Sequence, residues 1–175
     1  MTDPVPLTED GRHIIVNGRK WRATDPDIPA PLRTELVKEL MGARRTIRNF
    51  KHDPEVVAAA RLRVQNAKVA LGERGEPWWE TPTAAGQRER IVSAIHALLN
   101  GRKADATICP SDIARIVGSP QWRPLMDTVR AVGVELAAAN LITVTQRGEP
   151  VPDPATASGP VRFRAVPDQS NASPT

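Results

Sequence analysis

Residues 142–164 read ITVTQRGEPVPDPATASGPVRFR, two short alternating runs separated by a proline-rich loop. In the first, Ile142 and Val144 alternate with Thr143 and Thr145; in the second, Val161 and Phe163, continued by Ala165, alternate with Arg162 and Arg164. A period of two gives each run one apolar face, as expected of half-buried strands. Two strands bury too little to stand alone, so this hairpin requires a helical body to lie on.

The residues before it supply one. Residues 84–100 carry Ile91, Ile95, Leu98 and Leu99 at helical spacing. Thr107, Ile108 and Cys109 form a short extended piece, and Pro110-Ser111 opens a second helix with Ile113, Ile116 and Val117 apolar and Gly118 placed to end it. Pro124 is tolerated only in a first helical turn, so a third helix starts near Trp122 or Arg123 and runs to about Asn140. Leu125, Val129, Val132 and Leu136 line its inner face, with Arg123, Asp127, Arg130 and Val134 opposite. The order helix, short strand, helix, helix, strand, loop, strand is that of a winged helix.

In the first half, HIIVNGRKWRA places Asn17-Gly18 between strand-like runs, which predicts a type I′ hairpin with Ile15 and Trp21 covering a neighbour. Pro31 stands near the start of a helix bearing Leu32, Leu36, Val37 and Leu40. Asp53-Pro54 caps and opens another, from 54 to about 72, with the stripe Val57, Ala60, Val64, Ala67 and Leu71. That narrow stripe predicts a close helix–helix contact, either within an α-hairpin capped by the β-hairpin or as a seam between two chains. The glycines and prolines of GERGEPWWETP mark a linker, with Trp78 and Trp79 anchoring it to a domain surface or clamping a partner.

The predicted fold is therefore mainly α with small β-hairpins, a C-terminal winged helix preceded by a β-hairpin and helical-hairpin module. Residues 1–11 are expected to be disordered, 12–76 to form the N-terminal module, 77–83 the linker, 84–166 the winged-helix-like domain, and 167–175 a disordered tail lacking an apolar anchor.

With two Phe, four Trp and no Tyr, the cores must be built from small aliphatic side chains. No run of eighteen apolar residues occurs and the N-terminus lacks the pattern of a secretory signal, which predicts a cytoplasmic protein with no membrane association. The single cysteine, Cys109, excludes an intramolecular disulfide. Placed before a helix start, with His96 the only histidine in the same predicted domain, it is the one candidate nucleophile, but its apolar setting reads more simply as a small buried hydrophobe. His13, His52 and His96 are far apart without Cys or His partners at ligand spacing, and no phosphate-binding glycine motif is present. No enzyme, metal or cofactor is expected.

Net charge is +4 and the pI is about 9.8, a mild bias toward polyanions. Arg123, Arg130, Arg147, Arg162 and Arg164 are the candidate nucleic-acid contacts, predominantly to phosphate. Arg44, Arg48 and Lys51 would form a second basic row if the helix around them continues, although a solvated face explains the row equally well. The competing expectation is a protein-interaction adaptor that uses the N-terminal helices with Trp78 and Trp79.

The segments ICPSDIARIVG, WRPLMDTVRAVG and 141–164 resemble a bacterial domain family of unknown function, over residues 84–166. That resemblance implies a winged-helix-like fold and carries over no site residues. HIIVNGRKWRATDP, ELMGARR and NAKVALGERGEPWWE resemble an uncharacterised bacterial module sometimes labelled a biopolymer (Tol) transport protein. Transport proteins of that type carry a membrane-spanning helix, which nothing in this sequence matches.

Overall fold

The computed structural model describes residues 5–166. The expected tail, 167–175, lies outside them, as do the first four residues. The fold is mainly α with small β-hairpins, as the periodicities predict.

Strands β1 (His13–Val16) and β2 (Arg19–Arg22) pair around Asn17 and Gly18, whose φ angles of 50° and 72° suit a type I′ turn. The register pairs Ile14 with Trp21 and Ile15 with Lys20. Ile15 and Trp21 thus lie on opposite faces, and both are exposed, which corrects the expectation that the two together cover a neighbouring element. Residues 6–11 are also more ordered than their composition suggests. Leu7 bridges to Ile14, and the Thr8 amide donates to the His13 carbonyl.

Helix α1 (Ala30–Asn49) buries Leu32, Leu36, Leu40 and Ala43. It runs well past the apolar stripe, through Arg44 and Arg48, while Lys51 lies in the turn beyond. Helix α2 (Pro54–Ala70) is capped by Asp53, whose carboxylate accepts the Val56 amide at 3.2 Å. Its stripe holds, with Ala60, Ala67 and Leu71 buried and Val57 and Val64 half-buried. α2 packs on α1, so the stripe makes an internal contact. At this seam Arg63 donates through two nitrogens to both oxygens of Glu39, at 2.7 and 2.8 Å. Glu39 is only 3% exposed, and its hydrogen bond holds the Arg63 pKa above the usual guanidinium value.

Helix α3 (Ala84–Gly101) starts where Thr83 accepts the Gly86 amide and buries Ile91, Ile95, Leu98 and Leu99. After it come β3 (Thr107–Ile108), α4 (Pro110–Gly118), one 3-10 turn (Arg123–Leu125), α5 (Met126–Ala138), β4 (Ile142–Gln146), β5 (Glu149–Pro150) and β6 (Arg162–Ala165). Pro124 falls in the 3-10 turn, and α5 proper begins just beyond it, so the proline costs no hydrogen bond of the longer helix.

The C-terminal hairpin is not a lone pair of strands. β4 pairs with β6 as predicted, but β3 extends one edge and β5 the other, giving the antiparallel order β3-β6-β4-β5. The β5 pairing follows from a tight turn at Arg147-Gly148, with φ of 55° and 89°. Val161 and Phe163 point into the core, at 6% and 1% exposure. Gly133 on α5 makes room for this, because a Cβ there would run into the Phe163 ring.

The two halves share one core. A single apolar cluster runs from Ile28, Leu36 and Leu71 through Ile95 and Ile116 to Phe163. Two ion pairs cross the same boundary, Asp25 with Arg90 at 2.7 Å and Glu35 with Arg102 at 2.8 Å. The connecting segment is fastened rather than loose, since the Trp78 indole N–H donates to the Ala23 carbonyl at 3.0 Å.

Candidate functional site

The turn between α4 and α5 presents the most distinctive polar grouping of the C-terminal half. α4 buries Ile113, Ala114 and Ile116, which leaves Arg115 on the outside. The chain then turns closely past Gly118, where a Cβ would meet the Leu125 side chain. That turn brings two guanidinium groups over the Trp122 ring, Arg115 at 4.8 Å and Arg123 at 4.7 Å from the ring centroid. Both arginines are exposed, and among the described residues neither lies within ion-pair distance of a carboxylate. Stacking on the indole restricts both side chains and leaves their N–H edges free to donate.

Arg115 and Trp122 were not among the sequence-based candidates. The signal was present: the apolar spacing of Ile113, Ile116 and Val117 turns Arg115 outward, and it precedes Trp122 by seven residues, two helical turns if the chain did not bend. The intervening turn, which brings the two together, could not be read from spacing.

The remaining candidates divide by what they already hold. Arg147 sits at the tip of the β4–β5 turn, exposed and in the left-handed region. Arg162 is exposed and donates through Nε to the Thr107 hydroxyl at 2.6 Å, a bond that fixes the side chain beside β3 and leaves its terminal nitrogens unused. Arg130 is committed internally: its two terminal nitrogens donate to the carbonyls of Gly159 and Ala157, both at 3.0 Å. The loop after β5 therefore folds back over the Arg130/Val134 flank of α5, which is half-buried rather than outward-facing, and Arg130 is its clasp. Arg164 is half-buried between Thr107 and Thr143 in the sheet, with its Nε enclosed and unpaired. These two are poor phosphate ligands as placed.

On the second basic surface, Arg44 and Arg48 are exposed one turn apart on α1. Trp78 and Trp79 are both half-buried and stack edge to face at 5.1 Å. Trp79 further meets His13 at 5.5 Å and lies under the guanidinium groups of Arg12 and Arg22. Their ring surfaces are thus largely occupied by the chain itself, as an anchor would be.

Cys109 is half-buried at the N-terminus of α4 and accepts a hydrogen bond from the Ser111 hydroxyl. His96 lies on α3, where burial lowers its pKa below the ordinary imidazole value. Among the described residues no three His, Cys, Asp or Glu side chains gather at metal-binding distance.

Residues 88–166 match a family model described as a protein of unknown function, DUF3253. The matched stretch starts inside α3 and takes in α4, α5 and all four strands of the C-terminal sheet. None of the curated proteins matches the chain.

Proposed function

We propose that this chain is a non-catalytic, cytoplasmic nucleic-acid-binding protein whose C-terminal half acts as a winged helix. In this reading α4 and α5 are the helix-turn-helix, and the β4–β6 sheet is the wing. The observation that carries it is the pair of unpaired arginines, Arg115 and Arg123, held on Trp122 at the turn where α5 begins. Helix-turn-helix proteins offer that end of the second helix to the DNA groove. Planar guanidinium groups with free N–H edges match phosphate oxygens in geometry and charge.

Arg147 and Arg162 extend the cationic surface to the sheet, whereas Arg130 and Arg164 are engaged in the fold. The loop clasped by Arg130 covers one flank of α5, and the open face of that helix carries the acidic Asp127 and Glu135. Contact is therefore chiefly to the sugar–phosphate backbone, with little reading of base edges. The N-terminal module, whose sequence resembles segments labelled as biopolymer (Tol) transport proteins, serves as a scaffold for this surface. No helix among the described residues is long and apolar enough to cross a membrane.

A short mixed-sequence DNA duplex, titrated by fluorescence anisotropy at several salt concentrations, tests the reading. Four phosphate contacts, from Arg115, Arg123, Arg147 and Arg162, give a slope of log K against log salt between about −3 and −4. The double variant Arg115→Glu/Arg123→Glu should lose at least about tenfold in affinity, roughly 1.4 kcal/mol. A salt-independent signal, or full affinity in the double variant, contradicts the proposal.

A further inference from the structure

A second feature lies away from that surface and is built by the N-terminal module. The register of the first hairpin puts Ile14, Val16, Arg19 and Trp21 on one face. The opposite face is tied to the loop after α2. There Arg22 donates to the Gly75 carbonyl at 2.8 Å, and His13 and Arg22 both meet the Trp79 ring. Held in this way, the hairpin does not close onto α1. A cleft of about 490 Å³ remains between the Ile14/Trp21 face and the Val37/Met41/Arg44 row of the helix.

The walls of this cleft are unusual for a surface left in water. Val16, Trp21, Val37 and Met41 are 38%, 46%, 38% and 42% exposed, and they line the cleft from both sides. Exposed apolar side chains are ordinary when scattered singly; here four face one another across a single cleft. The charges are one-sided. Arg19, stacked on Trp21 at 5.3 Å, and Arg44 have no carboxylate within ion-pair distance among the described residues. Glu73 is the one acidic lining residue, and it is already held by Lys68 at 2.9 Å and by the Thr24 hydroxyl.

We propose that this cleft binds a small organic carboxylate with an apolar body, its tail between Trp21 and Met41 and its head at Arg19 and Arg44. The volume falls within the range of small-molecule sites, roughly 300–1,000 Å³. From Val37 to Arg44 the helix wall rises only about 10 Å at 1.5 Å per residue. That is two turns, shorter than the average partner helix of about three, so a small amphiphile fits better than a docked helix. A carboxylate meeting two guanidinium groups beside an apolar wall gains charge-assisted hydrogen bonds while its tail leaves water.

The test uses the full chain and two small fluorescent probes, 1-naphthylacetate and its uncharged methyl ester. The acid should bind saturably and at least about tenfold more tightly than the ester. Arg19→Glu/Arg44→Glu should remove that preference and leave ester binding unchanged, while Trp21→Ala/Met41→Asp should weaken both probes. All four side chains are exposed or line the open cleft, and far-UV circular dichroism should confirm that each variant is folded. Arg115→Glu/Arg123→Glu should bind the acid normally, which separates this site from the nucleic-acid surface. Absence of saturable acid binding, equal affinity for acid and ester, or an acid preference that survives charge reversal at Arg19 and Arg44 overturns the proposal.

Discussion

Arg147 occupies a backbone conformation that a residue of its kind does not favour. Its φ of 55° is the left-handed conformation that costs an L-residue with a Cβ roughly 1–2 kcal/mol, less for Asn or Gly. Arg147→Asn should therefore stabilise the protein by up to about 1 kcal/mol in urea unfolding while weakening DNA binding. A gain in stability with unchanged binding would show that Arg147 does not contact DNA. Gly133 illustrates the opposite case. Gly133→Ala puts a methyl group where the Phe163 ring lies, and overpacking of this kind should cost about 1–3 kcal/mol. His96 makes stability depend on pH. Burial keeps it neutral in the fold, so below its ordinary pKa of 6.5 the unfolded chain takes up the proton first. Stability is full above that value and declines as the pH falls beneath it. His96→Gln should flatten the acid limb of a stability–pH curve.

At the scale of elements, the clasp on the wing loop can be opened without disturbing the core. Arg130→Met removes the two hydrogen bonds to Ala157 and Gly159. Hydrogen exchange should then accelerate in residues 151–160, while the amides of α3 keep their protection. Much of the element order was legible because its signals are local: Asn17-Gly18 for the turn, Asp53-Pro54 for the start of α2, and the spacing of Ile91, Ile95 and Leu98 for the inner face of α3. The part that was not legible depends on long-range placement. β5 arises because Arg147-Gly148 turns as tightly as Asn-Gly does, although arginine is not a usual residue there. β3 joins the sheet only because α3 and α4 bring Thr107 beside Arg164. The candidate site suffered the same limit. The exposed arginines could be listed from periodicity, but whether a guanidinium group is free, like that of Arg123, or fastened, like that of Arg130, depends on where a loop 27 residues away returns.

For the molecule as a whole, one core and two buried-edge ion pairs across the halves predict a single cooperative transition. Calorimetry should show one peak with matching calorimetric and van't Hoff enthalpies. A fragment of residues 84–166 would expose the α3 surface that α2 covers, so it should be markedly less stable than the full chain. The arginines responsible are structural. Arg90 and Arg102 each hold a carboxylate from the other half, and Arg63 does the same between α2 and α1. Arg102 goes further than the others. It grips Glu35 of α1, the Thr107 carbonyl of β3 and, at 3.5 Å, Asp112 at the start of α4. Three elements thus turn on one planar group, like arms on a pivot. Arg102→Met should therefore loosen α1, the β3 edge and the start of α4 together, read as faster hydrogen exchange in all three.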